Sequence, residues 1–362
     1  MLRISSAGVI RSYRSNLMRS RANLEAARQT ASDFRTFRNF SDNPAAATRS
    51  FKLIRSYGKT DNYIQNSKAV TERLDQVWSS AMEVSDLADK IDSDISTGMN
   101  GDKDLDSRKL IAQTIRGNME SMVQSLNAKY NDDFIFGGQE TSEPPFSLDK
   151  DYNLYYRGIN VDTGMKKDTN PPEPAKLTLP DGKTLTGPAV LEYYATKEKL
   201  YTDVGLSMQN NNGAMGDFTS SSDINVSSAM DISMPGISVI GFGTDKDGNV
   251  KNAISQLRDI ANEIEQPKPD IDKLSEMRNR FGDTRNDIRK AISTVDTRAN
   301  FVKTNTERLQ TNADSMYKQI HDLTQVDPAL AFTNLTFAQT YYNSAIKIGN
   351  SILDQSFIDY MR

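Results

Sequence analysis

The chain has 362 residues, no cysteine, one histidine and a mean hydropathy of −0.61. Without thiols there can be no disulfide, thiolate zinc site or cysteine nucleophile, and a single histidine excludes multi-histidine metal centres. The net charge of −4 hides an asymmetry, since residues 1–60 sum to +9, 61–130 to −4, 131–250 to −9 and the rest to zero. A basic arm of this kind suits nucleic acid, the solvated face of a helix, or an acidic partner. No apolar run has the length needed to cross a bilayer, so no membrane insertion is expected. The run Ala7–Ile10 is too short for a signal peptide, so no secretory leader is expected either.

Taken in chain order, the first element is a helix with a thin seam. Tyr13, Leu17, Ser20, Leu24, Ala27, Ala31 and Phe34 recur at spacings of three and four. Small residues in that seam permit close approach of a partner helix but bury little, and isolated helices of this length are marginal in water. A turn follows at Ser41–Ala46, which contains Pro44. A stronger seam runs through Val70, Leu74, Val77, Ala81, Val84, Ala88, Ile91 and Ile95 and stops at Gly98 and Gly101. A third comprises Ala112, Ile115, Met119, Met122 and Leu126. Such stripes predict a bundle, with a gain of roughly 1.5–3 kcal/mol for each large side chain buried.

The middle has a different grammar. Ten of the twelve prolines lie between Pro144 and Pro269, and thirteen of the twenty glycines between Gly137 and Gly248. Helix interiors exclude proline, so residues 141–249 are expected to be strand, turn and loop. Leu154–Val161 reads as one strand. Lys176–Thr186 reads as a hairpin turning at Asp181-Gly182, with Pro180 placing its first strand at an edge. Asn210–Gly213 reads as a loop, and Ile237–Ile240 as a short apolar strand between glycines. Asp245–Asn249 lacks the spaced glutamate of an EF-hand, which leaves a polar turn. Gly241–Gly243 does not continue as a dinucleotide fingerprint.

The last quarter holds the longest seam: Ile292, Val295, Ala299, Val302, Thr306, Leu309, Ala313, Met316, Ile320 and Leu323. Asp327-Pro328 breaks it. A final thin seam follows at Leu335, Ala338, Tyr342, Ala345, Gly349 and Ile352. The expected fold is therefore mainly α with a β-rich insert, in three nested parts. Residues 1–48 and 328–362 form a terminal helical coiled coil, 49–140 and 250–327 a helical bundle, and 141–249 the inserted domain.

No spacing of residues singles out a catalytic set. His321 reads as a surface or boundary residue of the long helix and Trp78 as a packing residue beside Val77. Asp102, Asp104 and Asp106 read as the solvated start of a helix. No cofactor, metal or enzymatic activity is expected. A nucleic-acid-binding coiled coil using the arginine-rich arm stands as a rival, tested by the salt dependence of binding. An enzyme hosted in the insert would need a pocket with paired carboxylates.

Several local sequences carry a resemblance. Met1-Leu2-Arg3-Ile4-Ser5, Ser41-Asp42-Asn43-Pro44-Ala45-Ala46 and Asp106-Ser107-Arg108 resemble segments of the bacterial flagellar axial proteins, the flagellin-like family. Phe134-Ile135-Phe136-Gly137-Gly138, followed by Thr141 and Pro145-Phe146, is the most specific match. It resembles the hook-filament junction branch, hook-associated protein 3. The tail from Ser351 to Met361 is similar to that of the family, with Phe357, Ile358 and Met361 replacing leucines. Asp42, Pro44, Phe136, Gly137, Pro145 and Phe146 are the motif residues.

The resemblance covers about 250 residues at the two ends. It implies a structural adaptor between hook-associated protein 1 and flagellin, self-assembled into a ring on the extracellular flagellum. It implies export through the flagellar type III channel after a cytosolic chaperone has held the chain. A filament flagellin is the alternative within the family. The implied assembly interface pairs Leu17, Leu24 and Phe34 with Leu335, Tyr342 and Ile352.

Overall fold

The computed structural model describes residues 6–360 apart from 101–102, 168, 170, 180–181, 213–214 and 216–223; for 6–7 and 351–360 it describes the backbone only. The Met1–Ser5 motif, Asp102, the Pro180-Asp181 turn, Gly213, the Ile352 and Phe357–Ile358 side chains and Met361 therefore lie outside the described residues. The chain divides into two compact units, one of residues 1–61 and 310–362, the other of 62–309.

The first unit is built from helices. They are α1 (Ser6–Asp33), the start of α2 (Pro44–Gly98), the end of α7 (Ile271–Thr324) and α8 (Pro328–Tyr360). Pro44 opens α2 at the position where a missing N–H costs nothing, and Asn43 Oδ1 accepts from the Ala46 N–H at 3.0 Å. Just before it, Asp42 Oδ2 accepts from the backbone of Arg38 (3.1 Å) and Asn39 (2.8 Å). The expected break at Asp327-Pro328 is present, and Asp327 caps α8 by accepting from Ala329 N at 2.7 Å. The two connectors are tied to each other: Thr36 N donates to Thr324 O, and Val326 N donates to Phe34 O, both at 2.9 Å.

The second unit is a bundle with the insert packed into its core. It holds the rest of α2 and α7, plus α3 (Leu105–Leu126) and α6 (Ala253–Ile264), which packs on α3. Asp104 caps α3 by accepting from Ser107 N at 3.2 Å, which accounts for the acidic helix start. The seam from Val70 to Ile95 is buried, as are Ala112, Ile115, Met119, Met122 and Leu126. Leu154, Tyr156, Val161, Val190, Ile237 and Ile240 of the insert join them in one continuous cluster.

A second layer of order is electrostatic. Arg278 holds Asp92 at 2.9 Å, Arg285 reaches both Asp89 (3.2 Å) and Asp92 (3.1 Å), and Arg289 holds Asp89 at 2.7 Å. The hydrogen bond from Arg278 and the charge of Arg285 keep the Asp92 carboxyl below its ordinary range, against the opposing effect of burial. A carboxylate with a depressed pKa binds fewer protons folded than unfolded. Its contribution is complete above the unfolded value and is lost as pH falls through the folded one. The wild type is expected to lose its stability advantage over Asp92→Asn below about pH 4. Urea midpoints recorded from neutral to acid pH check this. An advantage that persisted to the lowest pH would show that the pair is not what stabilises the helices.

The strands are short and antiparallel. In order they are β1 (Lys129–Tyr130), β2 (Asp133–Phe134), β3 (Phe146–Leu148), β4 (Leu154–Tyr156), β5 (Ile159–Asn160), β6 (Lys176–Thr178), β7 (Thr184–Thr186), β8 (Tyr201–Thr202) and β9 (Met230–Asp231). They pair as β1-β2, β3-β4-β5, β6-β7 and β8-β9. The hairpin expected over Lys176–Thr186 is β6-β7. Two expectations need correction. Leu154–Val161 is not one strand but the β4-β5 hairpin, because Arg157 and Gly158 both take positive φ (51° and 76°) and reverse the chain in two residues. Ile237–Ile240 is a helical turn, α5, whose Val239 and Ile240 N–H groups return to Gly236 O. A four-residue apolar run fits strand and buried helix equally well by periodicity. A nine-residue helix in the insert, α4 (Pro188–Thr196), was not anticipated.

The polar turn at Asp245 has a twin. Asp149-Lys150-Asp151-Tyr152-Asn153 and Asp245-Lys246-Asp247-Gly248-Asn249 share a pattern and a geometry. In each, the first Asp Oδ1 accepts from the N–H groups two and four residues on (2.9 and 2.8 Å in both). Its Oδ2 accepts from the Asn side chain. The carboxylates are occupied by their own backbone, which accounts for a turn rather than a calcium loop. No group of three ligating side chains occurs among the described residues.

Candidate assembly interface

The thin seams are the buried faces of α1 and α8, and these two helices pack against each other. On α1, Leu24 and Ala31 are buried and Tyr13, Leu17, Ser20 and Ala27 half-buried, while nearly every residue between them is exposed. On α8, Ala331 and Gly349 are buried and Leu335, Ala338, Tyr342 and Ala345 half-buried. One contact fixes the register. A Cβ built on Gly349 would coincide with the Tyr13 ring, so only glycine leaves room for the tyrosine. Phe34 lies just past the end of α1 in the left-handed region (φ 53°), with its ring edge-on to Phe332 at 5.9 Å. Five of the six expected interface residues thus sit on paired faces or at their junction. The side chain of the sixth, Ile352, is outside the described residues.

A feature the periodicity did not expose is the uncovered flank of α8. Leu330, Phe337, Tyr341 and Ile348 are each more than half exposed. Their spacings of seven, four and seven put them on one helical face, and each immediately precedes a seam residue. Phe337 and Tyr341 stack with centroids 6.3 Å apart, beside a groove floored by Ala26 and Ala27 of α1. Scattered exposed apolar residues need no explanation, but a contiguous stripe marks a contact surface. The signal was present in the sequence as a second apolar register, read there as nothing because the first register absorbed the pattern. Arg11, Arg14, Arg21 and Arg28 of the basic arm are exposed on α1.

Of the motif residues, Asp42 and Pro44 sit at the start of α2, and the other four occupy the entry into the insert. Phe136, Gly137, Pro145 and Phe146 are all buried. Asn127 clamps Phe146 from both sides, its Nδ2 donating to Phe146 O and its Oδ1 accepting from Phe146 N, each at 3.0 Å. The Phe146 ring packs at a 53° tilt against Tyr156 with centroids 5.0 Å apart, and the Tyr156 hydroxyl donates to Phe136 O at 3.2 Å. Burial pushes that hydroxyl far above the usual tyrosine range. A Cβ on Gly137 would strike Glu140 O, so the tight turn demands glycine there. Arg157 Nη1 holds both oxygens of buried Glu198 (3.0 and 2.8 Å), and Glu198 also accepts from Gln139 N at 3.3 Å. Burial alone would lower the Arg157 pKa, but the Glu198 carboxylate outweighs it. The motif is thus a packing knot that holds the insert to the bundle.

The remaining candidates resolve simply. His321 is exposed on α7, 3.7 Å from Asp322. Trp78 corrects the expectation of a packing residue. It is 41% exposed, because it lies one position past Val77 and so faces away from the seam. Among the described residues no helix is long and apolar enough to cross a membrane.

No family model and no curated protein matches the chain. Among solved structures, one described as a flagellar hook-associated protein from Vibrio parahaemolyticus superposes with a TM-score of 0.53 at 17% identity, over 78% of this chain and 100% of that one. The two share a fold. A flagellar hook-associated protein-3 of Legionella pneumophila (12% identity, 75% of this chain, 98% of that one) gives 0.47. FlgL of Bacillus cereus (14%, 75% and 99%) gives 0.44. Both scores fall below the level at which a common fold can be read. What this chain and the Vibrio protein have in common is the fold alone, which in this chain is long helices with short antiparallel strands in the middle.

Proposed function

We propose that this protein is a structural subunit of the bacterial flagellum, the junction between hook-associated protein 1 on the hook and the flagellin filament. The uncovered apolar stripe of α8, beside a seam that already pairs α8 with α1, is the observation that carries the reading. A surface of that kind marks a contact with another subunit, and the fold is shared with a protein described as hook-associated. In this reading copies of the chain form a ring through the terminal segments 1–48 and 328–362. The bundle, 49–140 with 250–327, meets its neighbours laterally, and 141–249 forms the outer insert. Leu17, Leu24, Phe34, Leu335, Tyr342 and Ile352 hold the terminal pair together. Before assembly the chain is held by an export chaperone and passes through the type III channel, a passage that no disulfide obstructs.

Electron microscopy of a strain lacking the protein tests the reading. Hooks without filaments, and flagellin monomers shed into the medium, are the expected result; normal filaments would overturn it. A point variant sharpens the test. Leu24 is buried on the face that meets α8. Leu24→Asp places an unpaired charge there, at a cost that the thin seam has no surplus to offset. The second unit should keep its cooperative melt while motility is lost. Motile cells with intact filaments would remove Leu24 from the interface.

A further inference from the structure

We propose that an acidic groove in the second unit receives a lysine or arginine side chain from a partner protein, with Asp162 at its receiving end. The groove is open and has a volume of ≈ 950 Å³; it lies between α4, α5, the 241–251 loop and α7. Ile237, Val239 and Phe242 give it an apolar floor, while Asp162, Glu192 and Asp283 supply carboxylates. A lysine or arginine side chain carries an apolar stem and a charged head, so one residue matches both surfaces. This goes beyond the assembly reading, which makes no use of the groove.

Asp162 distinguishes the site from an ordinary cluster of surface acids. The residue is only 8% exposed. Its Oδ2 accepts from the Ser255 hydroxyl at 2.6 Å, whereas Oδ1 is buried with no hydrogen-bond partner among the described residues. A carboxylate so placed is costly when ionised, and burial accordingly pushes its pKa up, opposed by Ser255 and by the charge of Arg258. A cation held in the groove beside it would offset that cost through space, without contacting the covered Oδ1. The other charges on the groove do not cancel this demand. Asp245 spends its carboxylate on its own turn, Asp287 pairs with Lys290 at 2.7 Å, and Lys251 and Arg280 stand against the three remaining acids. A metal ion is the poorer occupant, because no group of three ligating side chains converges among the described residues.

The walls are held in place. Asn252 donates to Gly241 O at 2.9 Å and caps α6 through Ile254 N and Ser255 N. Gln256 bridges Val250 O and the Thr284 hydroxyl, each at 3.0 Å. A groove fixed by such bonds loses little entropy on binding.

The test uses the full chain and a fluorescein-labelled hexa-arginine peptide, with hexa-glutamine as the uncharged control, read by fluorescence anisotropy. Binding of hexa-arginine alone is expected, weakened by roughly tenfold or more in Asp162→Asn and, separately, in Glu192→Gln/Asp283→Asn. The asparagine can still accept from Ser255, and a thermal melt confirms that each variant is folded. Equal affinity in the wild type and both variants would overturn the proposal. So would self-association of the protein that Asp162→Asn abolishes, since the occupant would then be a second copy of the chain.

Discussion

Gly349→Ala is expected to destabilise the first unit, although the same change at Gly58 should stabilise it. In a helix, alanine is normally favoured over glycine by roughly 0.5–1 kcal/mol. Gly58 lies on α2 with nothing within 4 Å of a built Cβ, so it should show that ordinary gain. At Gly349 the new methyl falls on the Tyr13 ring, and overpacking of this kind costs about 1–3 kcal/mol. Gly349→Leu should separate α1 from α8 and abolish motility. Adding Tyr13→Ala should recover part of the loss, since it removes the obstructing ring. Amide exchange along α1 reads the effect directly. If Gly349→Ala slowed exchange there, the Tyr13 contact would not be what sets the register.

Glu198→Ala should be the most damaging single change in the second unit. It leaves Arg157 without its bidentate partner, frees Gln139 N, and opens the space against which Gly138 is packed. Breaking a buried pair from one side costs about 3 kcal/mol or more, whereas replacing both charges by apolar groups is often neutral. Arg157→Met/Glu198→Leu should therefore be markedly more stable than Glu198→Ala. Urea unfolding followed by circular dichroism separates the cases. A Glu198→Ala protein within the scatter of the wild type would show that the ion pair is incidental to the knot.

The helices were legible because their evidence is periodic. Val70 through Ile95 places eight residues by one spacing rule, and every member is buried. The Asp327-Pro328 break was legible because proline acts locally, whereas Ser41–Ala46 read as a turn and the helix in fact begins within it, at Pro44. The insert was harder to read for a physical reason. Its order comes from contacts between residues far apart in sequence, such as Asn127 with Phe146, Tyr156 with Phe136, and Arg157 with Glu198. No window of sequence contains both partners. The helix α6 falls in the segment expected to be bundle, and its own signal at Asn252, Ile254, Leu257, Ala261 and Ile264 is clear, although the periodic seams did not single it out. At the interface, pattern reading found the first register of α8 and passed over the second, since a heptad search asks where the apolar residues agree and not which are left over. Asp162 carried no signal at all, because an acid between Val161 and Thr163 looks like any turn residue until its burial is seen.

The paired Asp-Lys-Asp-x-Asn turns carry one more lesson. Where one has Gly248 at φ 84°, the other has Tyr152 at φ 58°, a conformation that disfavours a bulky side chain. The tyrosine uses its position: its hydroxyl donates to Glu120 of α3 at 2.9 Å and its ring lies under Arg116. One copy of the turn only reverses the chain. The other is an anchor bolt, tolerating a tense backbone to fasten the insert to the helix below, so its fourth residue is the place where the two copies cannot be exchanged.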